Sequence, residues 1–512
     1  MRLLFCSEFY FPSVGGVQEV MRQIAERLVQ RGHEVTVVTT RLENRDFSEH
    51  NGVKIVEFGV SGNLVRGMEG EVESYRRFMT SFDCDAILIK AAQQWTFDAL
   101  WPVLDEISPR KVLIPCGFSG LFEPSYAKYF DDLPDILKKF DHLIFYAEHY
   151  RDVDFARQHG IGPFSILANG ASEIEFGSAQ DPDFRRKHGI PEDSAVLLTV
   201  GSLTGVKGHK ELLEAFVRLK TTRRHVTFIM NGNLPPKPMV VHTGGQSSDS
   251  SGGARSPLVV PAGLFQHIAS RWDSIRRVYA ARGVSGLKES VARRGRFGAR
   301  LLSRCGRIAK RLPQVWIEEG WLGIRSRAAQ RLGPRLERLG LLRYLPAHIQ
   351  ALTNPLSFWM AEAGRGSARK LLIVSDYPRD TLVQAYMAAD LFVFASNIEY
   401  SPLVLFESAA AGTPFLTVPV GNAEEIARWT GAGIICPAEK DARGYTRVAP
   451  EVLSREIANA IESPERLLVL GQAGRAAWSE RYTWAAISTR YEELLEGEQT
   501  RAGQGGPSCK PV

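Results

Sequence analysis

Two spacings of apolar residues alternate along the first 180 positions. "RLLFCSEF" is a short apolar run of the kind a buried strand carries, and it breaks at "FPSVGG". Val17, Val20, Met21, Ile24 and Leu28 then recur at three- and four-residue steps, one stripe of a helix. Arg31-Gly32 closes that helix, and "HEVTVVTT" begins the next strand. Further strands are predicted at "AILIK", "KVLIP", "HLIFYA" and "FSILAN". Strands alternating with helices across short loops imply a parallel, doubly wound sheet.

The alternation restarts near Ala195. "AVLLTVG", "HVTFIMNG", "KLLIVS", "DLFVFAS" and "TPFLTV" read as strands, and "KELLEAFVRLK", "DTLVQAYMAA" and "PLVLFESAAAG" as helices. Two α/β domains in one chain leave a cleft between them, where ligands of open parallel sheets collect at the carboxyl ends of strands. The second domain is interrupted from Leu234 to about Lys370. "GGQSSDSSGGARS" is a Gly/Ser-rich linker. Beyond it, Leu264, Ile268, Trp272, Ile275 and Tyr279 form one helical stripe, and Phe297, Leu301, Cys305, Ile308 and Leu312 another. The expected domains are 1–180; 190–235 with 370–478; an insertion at 236–369; a helix at 479–497 packing back on the first domain; and a disordered tail at 498–512.

A chain of 512 residues, 44% apolar and 23% charged, fits a globular protein of two or three domains. Its six cysteines are widely spaced, which implies a reducing compartment and no disulfide framework. The apolar start is too short for a signal peptide, and no run approaches the roughly 18 residues of a membrane span. A cytoplasmic protein is expected. The net charge of +6 is unevenly placed: between Arg271 and Leu345, nineteen Lys/Arg stand against five Asp/Glu, leaving −8 on the rest.

Candidate chemistry sits in three loops. In "EYSPLVLFESAAAG", Ser401 suits an N-cap and Pro402 the first helical position. The backbone N–H groups of Leu403 and Val404 would then face the cleft as an anion site. Glu407 lies roughly 6 Å further along the axis, about the distance from a diphosphate to its ribose. Glu399 would face the other side, toward a sugar. Taken alone, the stretch also reads as a capped amphipathic helix with two solvated acids. In "TVGSLTGVKGHKELLEAF", Lys207 precedes a helix start, an unfavourable place for a cation unless an anion is bound there; a flexible surface lysine is the alternative. Gly15-Gly16 lets backbone approach a ligand closely, although no GxGxxG pattern is present.

Together these pieces resemble the retaining glycosyltransferases of the GT-B fold, the large family 4 group. The resemblance covers most of residues 1–235 and 370–497. It is carried by "FYFPSVGGVQEVMRQIAERLVQRGHEVTVVTT", "ANGAS", "VGSLTGVKGHKELLEAF", "YMAADLFVFAS", "EYSPLVLFESAAAGTPFLTVPVGNAEEI" and "ERYTWAAISTRYEELL". It implies two facing Rossmann-like domains with an interdomain cleft and, in this chain, a basic helical insertion in the second. It implies a UDP- or GDP-sugar donor, no metal or other cofactor, and transfer with retention at the anomeric carbon. Lys207 and Glu399 would be catalytic: Lys207 would neutralise the diphosphate and Glu399 contact the donor sugar. Glu407 would hold the ribose, with Gly15, Gly16, Ser202, Leu403 and Val404 completing the nucleotide-sugar site. Gln93, Gln94, Trp95 and Cys116 are weaker candidates for the acceptor side.

Two positions depart from the family pattern. Ser202 stands where an arginine is common, which removes one cationic phosphate contact unless Lys210 or the insertion replaces it. Cys116-Gly117 stands where His-Gly is common. Asp83-Cys84-Asp85 looks like the metal motif of another glycosyltransferase class, but it only opens the "AILIK" strand. The family habit points to a saccharide or lipid-linked saccharide acceptor in cell-surface or exported polysaccharide synthesis. A basic insertion with interleaved Trp, Phe and Leu suits an anionic membrane surface contacted by 257–350, placing the protein peripherally on the membrane's inner face; a packed helical subdomain with solvated arginines is the bland alternative. Nucleic acid is not expected as a partner. A degenerate relative that binds nucleotide sugar as scaffold or regulator is the competing reading.

Overall fold

A computed structural model describes residues 1–203, 205–220, 225–232, 355–364, 369–441 and 444–497. By compactness the chain divides into Met1–Val241 with Ala363–Val512, and a second unit, His242–Glu362. Within 242–362 the description covers the residues of the helix Pro355–Gly364 up to Glu362. The linker, both basic stripes and the tail at 498–512 lie outside the described residues.

The first unit holds two parallel sheets. In chain order the strands of the first lobe are β1 (Arg2–Cys6), β2 (Glu34–Thr40), β3 (Glu49–His50), β4 (Val53–Phe58), β5 (Val60–Asn63), β6 (Gly67–Gly70), β7 (Ala86–Lys90), β8 (Arg110–Ile114), β9 (His142–Phe145) and β10 (Phe164–Ile166). Eight of them form one sheet in the order β10-β9-β8-β7-β1-β2-β4-β3, parallel except at β3, while β5 and β6 pair as a hairpin. Alternate residues face opposite layers, as the strand period of two requires. Leu4, Cys6, Ile87 and Ile89 join one core, and Leu3, Phe5, Ala86 and Leu88 the other. Both faces are covered, which is why these strands read as unbroken apolar runs.

The β3–β4 hairpin has no counterpart in the strands expected from alternation, because β3 is two polar residues long. Its signal is the Asn51-Gly52 pair, whose φ values of 50° and 79° meet the demand of a two-residue hairpin for positive φ at both positions.

The second lobe contains β11 (Ala195–Val200), β12 (Val226–Asn231), β13 (Lys370–Ser375), β14 (Leu391–Phe394), β15 (Phe415–Thr417) and β16 (Gly433–Ile435), with β17 (Glu439–Lys440) and β18 (Thr446–Arg447) as a small hairpin. The six-stranded sheet runs β13-β12-β11-β14-β15-β16, all parallel. The strand order steps outward from β11 in both directions, so the loops leaving β11 and β14 open side by side.

After the second lobe the chain returns to the first. Thr483 caps the helix Trp484–Glu496 by accepting the Ala486 N–H. Trp484, Ile487, Tyr491 and Leu495 pack with Val20, Ile24 and Leu28 of the helix Gly16–Gln30. Glu492 receives His33 Nε2 at 2.5 Å and pairs with Arg31. The returning segment runs beside the outgoing one: Ala171 and Thr483 form a parallel bridge, and the Ala171 N–H donates to Tyr482 O at 3.0 Å.

Candidate functional site

The loop after β11 is pressed against the loop after β14. Gly208 has φ +72°, and a Cβ there would lie 1.8 Å from Ala395 O. Asn397 N–H donates to Val206 O at 2.8 Å, and Ser396 Oγ lies 3.3 Å from the same carbonyl. This contact sets Lys207 beside Glu399, 192 positions later, with Nζ 2.5 Å from Oε1; Ser396 Oγ donates to that oxygen at 2.9 Å. Gly208 is the N-cap of the helix His209–Arg218. His209 is buried, and that burial, followed by the Lys207 charge, pushes its imidazole down to about 4, so it is neutral near pH 7.

The helix after β14 spans Leu403–Ala410. Its N-cap is Pro402 and carries no side-chain cap, which corrects the expectation of a Ser401 cap followed by Pro402 as the first helical residue. Pro402 has φ −71° and ψ 115°, extended rather than helical. Ser401 Oγ is instead buried without a partner among the described residues. The N–H groups of Leu403 and Val404 lie in the first turn, where a helix offers no acceptor of its own. Gly16 approaches this helix start from the first lobe: a Cβ there would lie 3.8 Å from Leu403 Cδ1. Gly15 precedes it in extended conformation, φ 173°.

Glu407 is nearly buried and already bonded. Arg379 Nη2 lies 2.6 Å from its Oε1, and Tyr386 OH donates to Oε2 at 3.0 Å. Arg379 also forms a two-pronged pair with Glu175, at 3.0 and 2.7 Å. Burial works against the Arg379 charge, but Glu407 and Glu175 outweigh it and hold the guanidinium well above its ordinary range. Each Glu407 oxygen retains a second lone pair for a hydroxyl donor. Arg379 was not legible in "DYPRDTL"; only the strand order brings it to Glu407.

Ser202 lies in the loop after β11, part-exposed, and Lys210 is 3.8 Å from Glu211. Asp83 pairs with Arg2, and Asp85 accepts the Arg2 N–H at 2.7 Å, so both acids of the DxD-like triplet, just ahead of β7, hold the start of β1.

On the first lobe, the loops after β7 and β8 hold four non-glycine residues at positive φ: Ala91, Gln93, Cys116 and Phe118. Gln93 organises these loops. Its N–H donates to Tyr129 OH, and its Oε1 accepts from Gly120 N–H at 3.2 Å. Asp98 braces the same region by accepting from Tyr129 OH at 2.7 Å and the Leu64 N–H at 3.0 Å; burial pushes its carboxyl up to about 6. Gln94 Oε1 is buried without a partner among the described residues. Trp95 is a correction: it is fully buried, edge-on to Tyr75 at 4.9 Å, with Nε1 donating to Thr40 Oγ1. It opens the short helix Trp95–Asp98 into the core, so it cannot touch an acceptor in the cleft. Cys116 is part-exposed, and burial pushes its thiol up. A separate cavity of about 240 Å³, lined by Ala195, Asp390, Pro414 and Leu467 among others, lies at the amino ends of the second-lobe strands, away from all these residues.

Comparison with known proteins bears on both lobes. The family model "Glycosyl transferases group 1" matches residues 364–477, and "Glycosyl transferase 4-like domain" matches residues 15–103. The chain is 16% identical to sucrose-phosphate synthase from Thermosynechococcus elongatus, with TM-score 0.58 over 98% of this chain and 100% of that one. Against Anabaena Alr3699/HepE in complex with UDP-glucose, identity is 14% and TM-score 0.54, covering 97% and 99%. The fold is GT-B. Among curated relatives, a D-inositol 3-phosphate glycosyltransferase of Segniliparus rotundus is 33% identical over 143 residues, 27% of this chain and 30% of that protein. The lipopolysaccharide glucosyltransferase WaaG of Escherichia coli is 26% identical over 248 residues, 46% of this chain and 64% of that protein. The alignments thus span less than two thirds of those relatives' own lengths. The two matched family models both describe glycosyltransferase domains, one falling on each lobe. In the GT-B frame, Lys207, Glu399, Glu407 and the Leu403–Ala410 helix belong to the second lobe, and Gly15, Gly16, Gln93 and Cys116 to the first.

Proposed function

We propose that this GT-B chain transfers a sugar from a UDP- or GDP-sugar to a saccharide or lipid-linked saccharide, with retention of configuration, in cell-surface or exported polysaccharide synthesis. The observation that carries the reading is the meeting of Lys207 and Glu399 just ahead of the Leu403–Ala410 helix, whose N-cap Pro402 makes no side-chain cap. One ammonium and two amides suit a diphosphate, and carboxylates at either end suit hydroxyl groups. The buried oxygens Asn169 Oδ1, Asn397 Oδ1 and Asn422 Oδ1, unpartnered among the described residues, add acceptors near the same loop. The named activities of the curated relatives, and the UDP and glucose of the Anabaena complexes, agree with it.

In this reading the bond from the anomeric carbon to the diphosphate oxygen breaks, and the acceptor hydroxyl oxygen bonds to that carbon on the same face. The acceptor proton passes to the departing phosphate. Lys207 and the Leu403 and Val404 amides stabilise the charge that grows on the diphosphate. These groups offset that charge without a metal ion. Glu399 aligns the donor sugar, and Glu407, oriented by Arg379 and Tyr386, holds the ribose.

Labelled UDP- and GDP-sugars incubated with a membrane extract test the activity: label enters a lipid-linked or polymeric product. Ser202 and Cys116, the two departures from the family pattern, favour a second reading, a non-transferring nucleotide-sugar binder; tight binding with no labelled product selects it. Glu407→Ala is expected to weaken UDP binding about 10- to 100-fold, the loss of hydrogen bonds to a charged group. Glu399→Gln is expected to lower kcat with little change in UDP affinity. Normal transfer by both variants removes these role assignments. The basic segment 257–350 is proposed to hold the protein on anionic membranes. Vesicles with 30 mol% phosphatidylserine, on the order used to mimic a charged leaflet, should pellet it at low salt, and neutral vesicles should not; equal pelleting removes the proposal.

A further inference from the structure

Tyr400, between Glu399 and Ser401, projects out of the second lobe into the first. Its ring lies 4.8 Å from Tyr150 and 5.6 Å from Tyr146. Its hydroxyl accepts the Tyr146 N–H at 3.0 Å and lies close enough to the Asp152 carboxyl for each to shift the other's titration. Asp152 is wholly buried and also accepts the Gly117 N–H at 2.7 Å and the Val153 N–H at 3.0 Å. Burial pushes its carboxyl up to about 6, and the Tyr400 hydroxyl and these amides work against that rise. Gly117 has φ +88°, and a Cβ there would lie 3.1 Å from Tyr400 Cγ and 3.0 Å from Tyr150 Cε1. A glycine is what leaves room for the ring.

The backbone around Tyr400 is held from both sides. Tyr150 OH donates to Glu399 O at 2.8 Å, Asn422 N–H to Tyr400 O at 2.9 Å, and Asn169 Nδ2 to Ser401 O at 3.2 Å. Three successive carbonyls are thus fixed by three different elements. Gly421 has φ +57°, and a Cβ there would lie 2.3 Å from Tyr400 O, so this side of the loop is also tightly packed.

We propose that Tyr400 is a peg seated in a first-lobe socket of Gly117, Tyr146, Tyr150 and Asp152, and that this seating sets where Glu399 stands for transfer. Tyr400 is therefore a positioning residue that acts through Glu399. Its catalytic consequence rests on the reading of Glu399 as the donor-sugar contact; the seating itself does not. The physical argument is direct. Removing the hydroxyl leaves the Tyr146 N–H without its acceptor inside the interface, while the ring still fills the socket.

The test compares Tyr400→Phe and Gly117→Ala with the unaltered protein. Amide exchange is read at Glu148 and His149, whose N–H groups donate across the lobes to Glu425 at 2.7 and 3.0 Å and do not touch Tyr400. Exchange there is expected to quicken about tenfold or more in both variants, as the lobes part more often. Exchange within about twofold of the unaltered protein overturns the peg. The second readout is kcat against UDP affinity. Tyr400→Phe is expected to lower kcat about 10- to 100-fold, the scale of a sub-ångström to 1 Å misplacement, with UDP affinity within about twofold. Unchanged kcat, or a parallel loss of UDP affinity, overturns the positioning role. Glu399→Gln separates the two ideas. If it transfers normally, the donor reading fails whatever exchange shows; if it is slow while Tyr400→Phe is fast, only the positioning role fails.

Discussion

Lys207→Ala is expected to lower kcat for the proposed sugar transfer about 10²- to 10³-fold, the cost of removing one preorganised group from a developing oxyanion. The β11–β14 loop contact delivers the Lys207 ammonium to Glu399, and Ser202 offers no charge to replace it. Folding should scarcely notice. The Lys207 and Glu399 side chains are 29% and 15% exposed, and a partly solvated pair of this kind contributes about 1 kcal/mol or less. Steady-state kinetics beside a thermal unfolding curve checks both halves. A kcat within about threefold of the unaltered enzyme would remove Lys207 from the leaving-group role.

Gly208→Ala is expected to destabilise the second lobe by about 3 kcal/mol or more, placing it among severe single substitutions. Two costs add. The backbone at φ +72° is strained for any L side chain, and the new Cβ would sit 1.8 Å from Ala395 O. That carbonyl belongs to backbone, which cannot rotate away as a side chain would. For a lobe of this size the Tm should fall by about 6–12 °C. UDP affinity should fall with it, because relieving the clash separates the Lys207 loop from the Glu399 loop. A Tm lowered by less than about 2 °C would show that the two loops have slack.

The parts of the molecule legible in sequence are those set by local chemistry. β1, β7, β8, β11 and β14 are buried on both faces, so each shows as an apolar run bounded by turn residues. Lys207, Glu399 and Glu407 carry a spacing relative to helix starts that makes electrostatic sense one segment at a time. Pairings that depend on strand order were not legible. Arg379 follows β13 at the sheet's far edge, and nothing in its own segment points to Glu407. Tyr400 reads as an ordinary aromatic until Gly117, from a different sheet, supplies the space beside it. Trp95 shows the converse: beside two glutamines it looks like a loop residue, yet a short helix turns it into the core. The Ser401-Pro402 pair misleads at the finest scale, because proline φ suits both the first helical position and the extended cap, and only ψ separates them.

The bridge between Ala171 and Thr483 limits how the lobes can move. The chain crosses between them twice, and the two crossings lie side by side, joined by hydrogen bonds on both sides of Ala171. A single strap lets two bodies swing and spin freely; a doubled one behaves like a door hinge, favouring rotation about one axis over twist and slide. Gly170 sits at that pivot, where a Cβ would lie 2.4 Å from Tyr482 O. A bulkier residue there would pry the straps apart and give the lobes back the freedom that the pairing removes.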